Sequence, residues 1–314
     1  MEQKISVRPP TQKISALHTI IDEHAINLVP TEFNLKTTLT GRDRYAILAN
    51  AALFPAAQAG ETYMPSNMTA LGFPVVTEQD FRHYVYQASE FGQKIETSCG
   101  SYTMWTPGDG IELWVQINLH KRIIGMNPHF RGEASTRIRL VSRVTRRRQS
   151  ILDGSFLGWV VPDSAAGNGY PLVFDLPDYD LYNELALPCT RSIQVAAFAH
   201  MLEGYESEEA YKVANEHEQP ESPETFYPSG LYTVHHRVQD PPRAQASLSG
   251  YVQATRLYTN PITNQKFYWV LVQTLGGQFD IVADPQVVQG KVVQDGIVKG
   301  TFWLSGRILA EELS

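Results

Sequence analysis

Four stretches near the C-terminus set the fold: SLSGYVQATRLYT (247–259), KFYWVLVQTL (266–275), QFDIVADP (278–285) and IVKGTFWLSGRIL (297–309). Each is rich in β-branched and aromatic residues. The joints are turn formers, Asn260-Pro261 to Asn264 and then Gly276-Gly277. A three-strand meander, a break over 286–296 and returning strands give the order of a small Greek-key barrel. In the last stretch Phe302, Leu304 and Ile308 alternate with Thr301, Trp303, Ser305 and Arg307, so the first set faces a core and the second faces away. Gly250 and Gly300 fall where a strand must bend to close the barrel.

In that strand order the segment 244–314 resembles an oligonucleotide/oligosaccharide-binding (OB) fold. The resemblance implies a surface on which aromatics stack bases and cations follow phosphates. Tyr251, Tyr268, Trp269, Trp303 and Arg307 are the residues available for it. Charge speaks against it. From residue 237 onward seven basic residues meet six acids, and a neutral barrel holds single-stranded nucleic acid poorly. The competing reading is that these aromatics pack the barrel onto the rest of the chain.

The whole chain has 314 residues, 43% hydrophobic and 19% charged, with two cysteines and a net charge of -7. That composition excludes a disordered chain, a disulfide scaffold and a multi-cysteine zinc module, and argues against a general nucleic-acid coat. The N-terminus shows no secretory signal, and no apolar run reaches a membrane span, so a cytoplasmic address without membrane contact is the default expectation. Residues 1–40 read as an irregular arm. Thr77 to Asp80 opens a helix whose apolar residues Phe81, Tyr84, Val85, Ala88 and Phe91 recur at helical spacing before Gly92. Strands are expected at 94–97, 102–106, 111–118, 136–145, 156–161 and 172–175. A second helix is expected over 192–204, with helical character continuing to about Asn215. The run EQPESPETFYPSG (218–230) and Pro241-Pro242 read as a linker. The expected class is α+β, mainly antiparallel sheet with a few helices. The expected division is a domain over 1–220, a linker over 221–243 and the OB-like barrel over 244–314.

Charge is unevenly placed. Residues 121–148 carry nine cations, among them Arg146, Arg147 and Arg148, against Glu133 alone. In the strand at 136–145, Arg137, Arg139 and Arg143 share one face and Ile138, Leu140 and Val144 the other. Such a face suits an anionic ligand or an acidic protein surface. Residues 175–224 hold twelve acids against Arg191 and Lys212, so pairing within the chain, or across a homo-oligomer, competes with an external partner.

Searches for catalytic motifs return little. There is no phosphate loop, HExxH, nucleophile elbow or CxxC. Gly108-Asp109-Gly110 and Gly167-Asn168-Gly169 read as hairpin turns. Asp178-Tyr179-Asp180 reads as a surface turn after Pro177, and the vicinal His235-His236 point to opposite faces if extended. The best chemical grouping is Glu112 in GIELW, His120 and His129, which as carboxylate and imidazoles could ligate a divalent metal or act as acid and base. Residues 73–118 read as strand end, helix and three strands ending in GIELW. This is similar to the βαβββ unit of the vicinal-oxygen-chelate (glyoxalase-like) superfamily, and the likeness implies that Glu112 is a metal ligand. A second copy of the unit is missing. No cofactor is therefore expected, and an enzyme ranks below a non-catalytic binding or scaffolding protein. That leading reading places ligand contacts at Arg137, Arg139, Arg143, Trp303 and Arg307. A structural homo-oligomer subunit is the third reading.

Overall fold

A computed structural model describes residues 67–146, 150–161, 169–216, 222–231 and 241–310. The N-terminal arm, the Gly167-Asn168 turn, Arg147-Arg148 and His235-His236 lie outside these residues. Helix α1 (Glu78–Phe91) starts where the capping signal places it. Asp80 N–H donates to Thr77 Oγ1 at 3.2 Å and Thr77 N–H donates to Asp80 Oδ2 at 2.8 Å. Its buried face, Phe81, Tyr84, Val85 and Ala88, covers one side of an antiparallel sheet. That sheet is ordered β1 (Gln93–Glu96), β2 (Gly100–Gly108), β3 (Ile111–Asn118) and β4 (Ile123–Phe130).

The second sheet holds ten strands. It contains β5 (Thr136–Val144), β6 (Gly154–Val160), β7 (Pro171–Leu176) and the seventeen-residue β8 (Cys189–Tyr205). After helix α2 (Glu208–Ala214) come β9 (Thr225–Tyr227), β10 (Gln245–Thr259), β11 (Lys266–Thr274), β12 (Gly277–Ala283), β13 (Val288–Gly290) and β14 (Ile297–Ile308). Strands β8 and β14 pair antiparallel from Ile193–Ile308 to Tyr205–Ile297. The far edge of β14 carries β10, and the far edge of β8 carries β12. With β11 between them, β8, β12, β11, β10 and β14 form one closed circuit. The other halves of the same two strands meet β5 and β7, so β8, β5, β6, β7 and β14 form a second circuit, which Ser305–Asp175 closes.

Strand β8 precedes residue 220 and pairs on both edges with strands that follow residue 244. Part of the expected linker, β9, also joins β10. Gly250 and Gly300 sit at close strand approaches, where an added Cβ would lie 2.1 Å from the Gln273 carbonyl and 2.3 Å from the Met201 carbonyl. Among the described residues no helix is long and apolar enough to cross a membrane.

The helix expected at 192–204 is a strand. Val195, Ala196, Ala197, Phe198, Ala199 and Leu202 are all buried, because a strand shared by two circuits is covered on both faces. Such a strand loses the alternation that marks a half-exposed one, and its alanines imitate a helix. Strand β4 escaped the expected set for the opposite reason. Gly125, Asn127 and Pro128 disguise it, and Pro128 is tolerated because β4 is an edge paired only to β3. Phe198 packs 4.9 Å from the Trp303 ring with no exposure. Phe198→Ala is expected to lower unfolding free energy by about 3–5 kcal/mol in urea titrations; a loss under about 1 kcal/mol would contradict the shared core.

Candidate functional site

The β5 arginines separate. Arg139 lies opposite Trp159 on β6, whereas Arg143 lies opposite Phe156, three residues away and therefore on the other face. An irregularity between Leu140 and Ser142 produces the switch. This corrects the expectation that Arg137, Arg139 and Arg143 share a face. Arg143 turns inward, and its Nη2 donates to the carbonyls of Tyr182, Asn183 and Leu185 at 2.8–2.9 Å. Its guanidinium also rests 5.5 Å from the Phe156 ring centre. Arg146 pairs with Asp175 at 2.7 Å.

Arg137 and Arg139 stay exposed, and neither pairs with another described acid. Across the same face Arg139 aligns with Thr190 on β8 and with Trp159, itself opposite Pro171 on β7. Arg137 aligns with Ser192. The result is two cations two residues apart on a strand, beside two hydroxyls and a partly exposed indole.

The Trp303, Ser305 and Arg307 side of β14 points at protein. Trp303 Nε1 donates to Asp175 Oδ2 at 2.7 Å. Arg307 pairs with Glu112 at 2.6 Å and with Asp178 at 3.1 Å, and its guanidinium lies 4.5 Å from the Trp114 ring centre. Arg131, largely exposed, approaches the other Glu112 oxygen at 3.7 Å. The Asp178-Tyr179-Asp180 turn is thus not a surface feature. Asp178 has no exposure, and Asp180 accepts the Cys99 N–H at 3.1 Å.

Glu112 and His129 are register partners on β3 and β4. His120 lies in the turn after the far end of β3, exposed, and does not join them. Both imidazole nitrogens of His129 are engaged, Nδ1 at 2.9 Å from Ser305 Oγ and Nε2 at 2.8 Å from Gln194 Oε1. The Gln194 amide nitrogen donates to the Phe130 carbonyl and to Asp280. Its oxygen therefore faces His129 and can only accept, so Nε2 carries the ring proton and Nδ1 accepts from the Ser305 hydroxyl. The chain of bonds ends at Asp280, which also accepts from Trp269 Nε1 and the Glu133 and Ala134 N–H groups at 2.8–2.9 Å. Among the described residues no group of three or more His, Cys, Asp or Glu side chains is placed to hold a metal ion. Of the barrel aromatics, Trp269 is buried, Tyr268 is half-buried and Tyr251 donates to Glu208 at 2.8 Å. Comparison with protein-family models, curated proteins and solved structures returns no match to this chain.

Two buried groups titrate in opposite directions. Burial pushes His129 down from 6.5 to about 4, with Glu112 opposing. Burial pushes Asp178 up from 3.8 to about 6, with Arg307 opposing and Glu112 assisting. The stability tied to His129 is present above 6.5 and is lost as pH falls to 4. The stability tied to Asp178 is present below 3.8 and is lost as pH rises through 6. Each is worth on the order of 3 kcal/mol, so they offset between pH 4 and 6. Asp178→Asn should make urea stability fall more steeply on acidification across that window than in wild type. His129→Gln should make it fall relative to wild type as pH rises. Three parallel profiles would contradict the assignment.

Proposed function

We propose that this chain is a non-catalytic binding or scaffolding protein that engages an acidic protein surface or an anionic ligand through the outer face of β5. One observation carries the reading: Arg137 and Arg139 remain exposed and without a described acidic partner, while Arg143, Arg146 and Arg307 are drawn into internal contacts. Keeping two guanidiniums in water beside a partly exposed tryptophan offers little to stability and a bidentate grip to a carboxylate, phosphate or sulfate. The site thereby narrows to Arg137 and Arg139 with Trp159, Thr190 and Ser192 around them.

The circuit of β8, β10, β11, β12 and β14 supports an OB-like reading, since it contains a meander and a returning strand. Its fifth strand comes from upstream of the meander rather than from within 244–314. Its aromatics are taken up in packing and hydrogen bonds, which favours recognition at β5 over base stacking on the barrel.

Fluorescence titration of poly-glutamate and of heparin at two salt concentrations tests the proposal and separates the two sources of negative charge. Binding to either probe should weaken with salt. Arg137→Ala/Arg139→Ala should weaken it about tenfold with thermal stability unchanged. Equal binding by wild type and double variant, or no binding by wild type, would overturn it.

A further inference from the structure

Strand β10 is paired on both edges only as far as Val252. Residues 245–251 pair with β14, and Val252 exchanges backbone hydrogen bonds with Asp295 and Gly296. From 253 to 259 the strand pairs with β11 alone among the described residues, and none of these seven residues is buried. An open strand edge of this length exposes alternating N–H and C=O groups to any extended chain.

The local chemistry selects among such chains. In a protein of net charge -7, residues 241–279 contain Arg243, Arg256 and Lys266 and no acid at all. Arg256 is exposed, stacks on Tyr258 at 5.3 Å and has no described acidic partner. Asp295 stands at the inner end of the edge, next to Val252. Leu257, 45% exposed, lies opposite half-buried Tyr268, whereas Arg256 lies opposite Trp269, so the leucine and the arginine occupy opposite faces of the hairpin.

We infer that the 253–259 edge of β10 is a β-addition site for an extended acidic peptide whose side chains alternate between apolar and carboxylate. Backbone ladder bonds supply affinity. The apolar residues of the incoming strand cover Leu257 and Tyr268 on one face, and its carboxylates meet Arg256 on the other. This surface is separate from Arg137 and Arg139, so the two proposals stand or fall independently.

Hydrogen exchange on the full chain provides the test, with the peptides TVEVEVT and TVKVKVT as probes. The acidic peptide should slow the outward-facing amides of 253–259, those not bonded to β11, about tenfold or more while those of 266–274 stay unchanged, and the basic peptide should have no effect. Arg256→Glu should reverse the preference. Slowing by neither peptide, or equally by both, overturns the inference. So does protection, already present in the chain alone, of those 253–259 amides that point away from β11, which would mean that its own residues fill the edge.

Discussion

The antiparallel pair of β8 and β14 is the constraint on which the larger sheet rests. Each strand is long enough to serve two circuits; β8 uses its second edge three times and β14 uses its second edge twice. Strand β8 takes β5, then β12, then β13; strand β14 takes β10 and then β7. Backbone groups along this pair are therefore satisfied on both sides for most of its length, and the side chains of its central part, 193–199 and 302–306, are covered on both faces. The small sheet of β1 to β4 adds to it through Glu112, His129 and Phe130, so the buried apolar residues of both sheets merge into one dominant core.

Buried and half-buried acids organise what the apolar core cannot. Asp280 gathers four donors from the 133–134 backbone, β8 and β11. Asp175 joins Arg146, Ser155 and Trp303. Glu112 and Asp178 share Arg307. A buried carboxylate without such partners would be costly, which explains why Arg146 and Arg307 of an acidic protein point inward. Some exposed cations stand outside this internal pairing and meet no described acid. Arg137, Arg139 and Arg256 are charges that the fold does not require.

The capped helix α1 was readable because it keeps one exposed and one buried face and a cap with known chemistry, and β3 for its β-branched and aromatic residues between turn formers, although both of its faces are buried. The meander after residue 244 was readable for its turns. Strand β8 was hidden by burial on both sides, since periodicity reports only contrast with water. The switch of Arg143 away from Arg139 follows from one irregular residue in β5, which no alternation pattern announces. Glu112 and His129 were visible as neighbours, but their partners Ser305, Gln194 and Arg307 come from strands far along the chain. Gln194 and Ser305 are types with no chemical signature of their own, and Trp159 gave no sign that it would stand beside Arg139. Local pattern carries strand identity; it does not carry which strands two long ones will bring together.

Native-state hydrogen exchange across a urea series tests the shared pair most directly. Amides in the central β8–β14 ladder, over 193–199 and 302–308, should exchange slowest, and β5–β7 and β10–β12 should join them in one global opening with a common urea dependence. Separate openings of the two circuits with different urea slopes, while β8 and β14 exchange early, would contradict it.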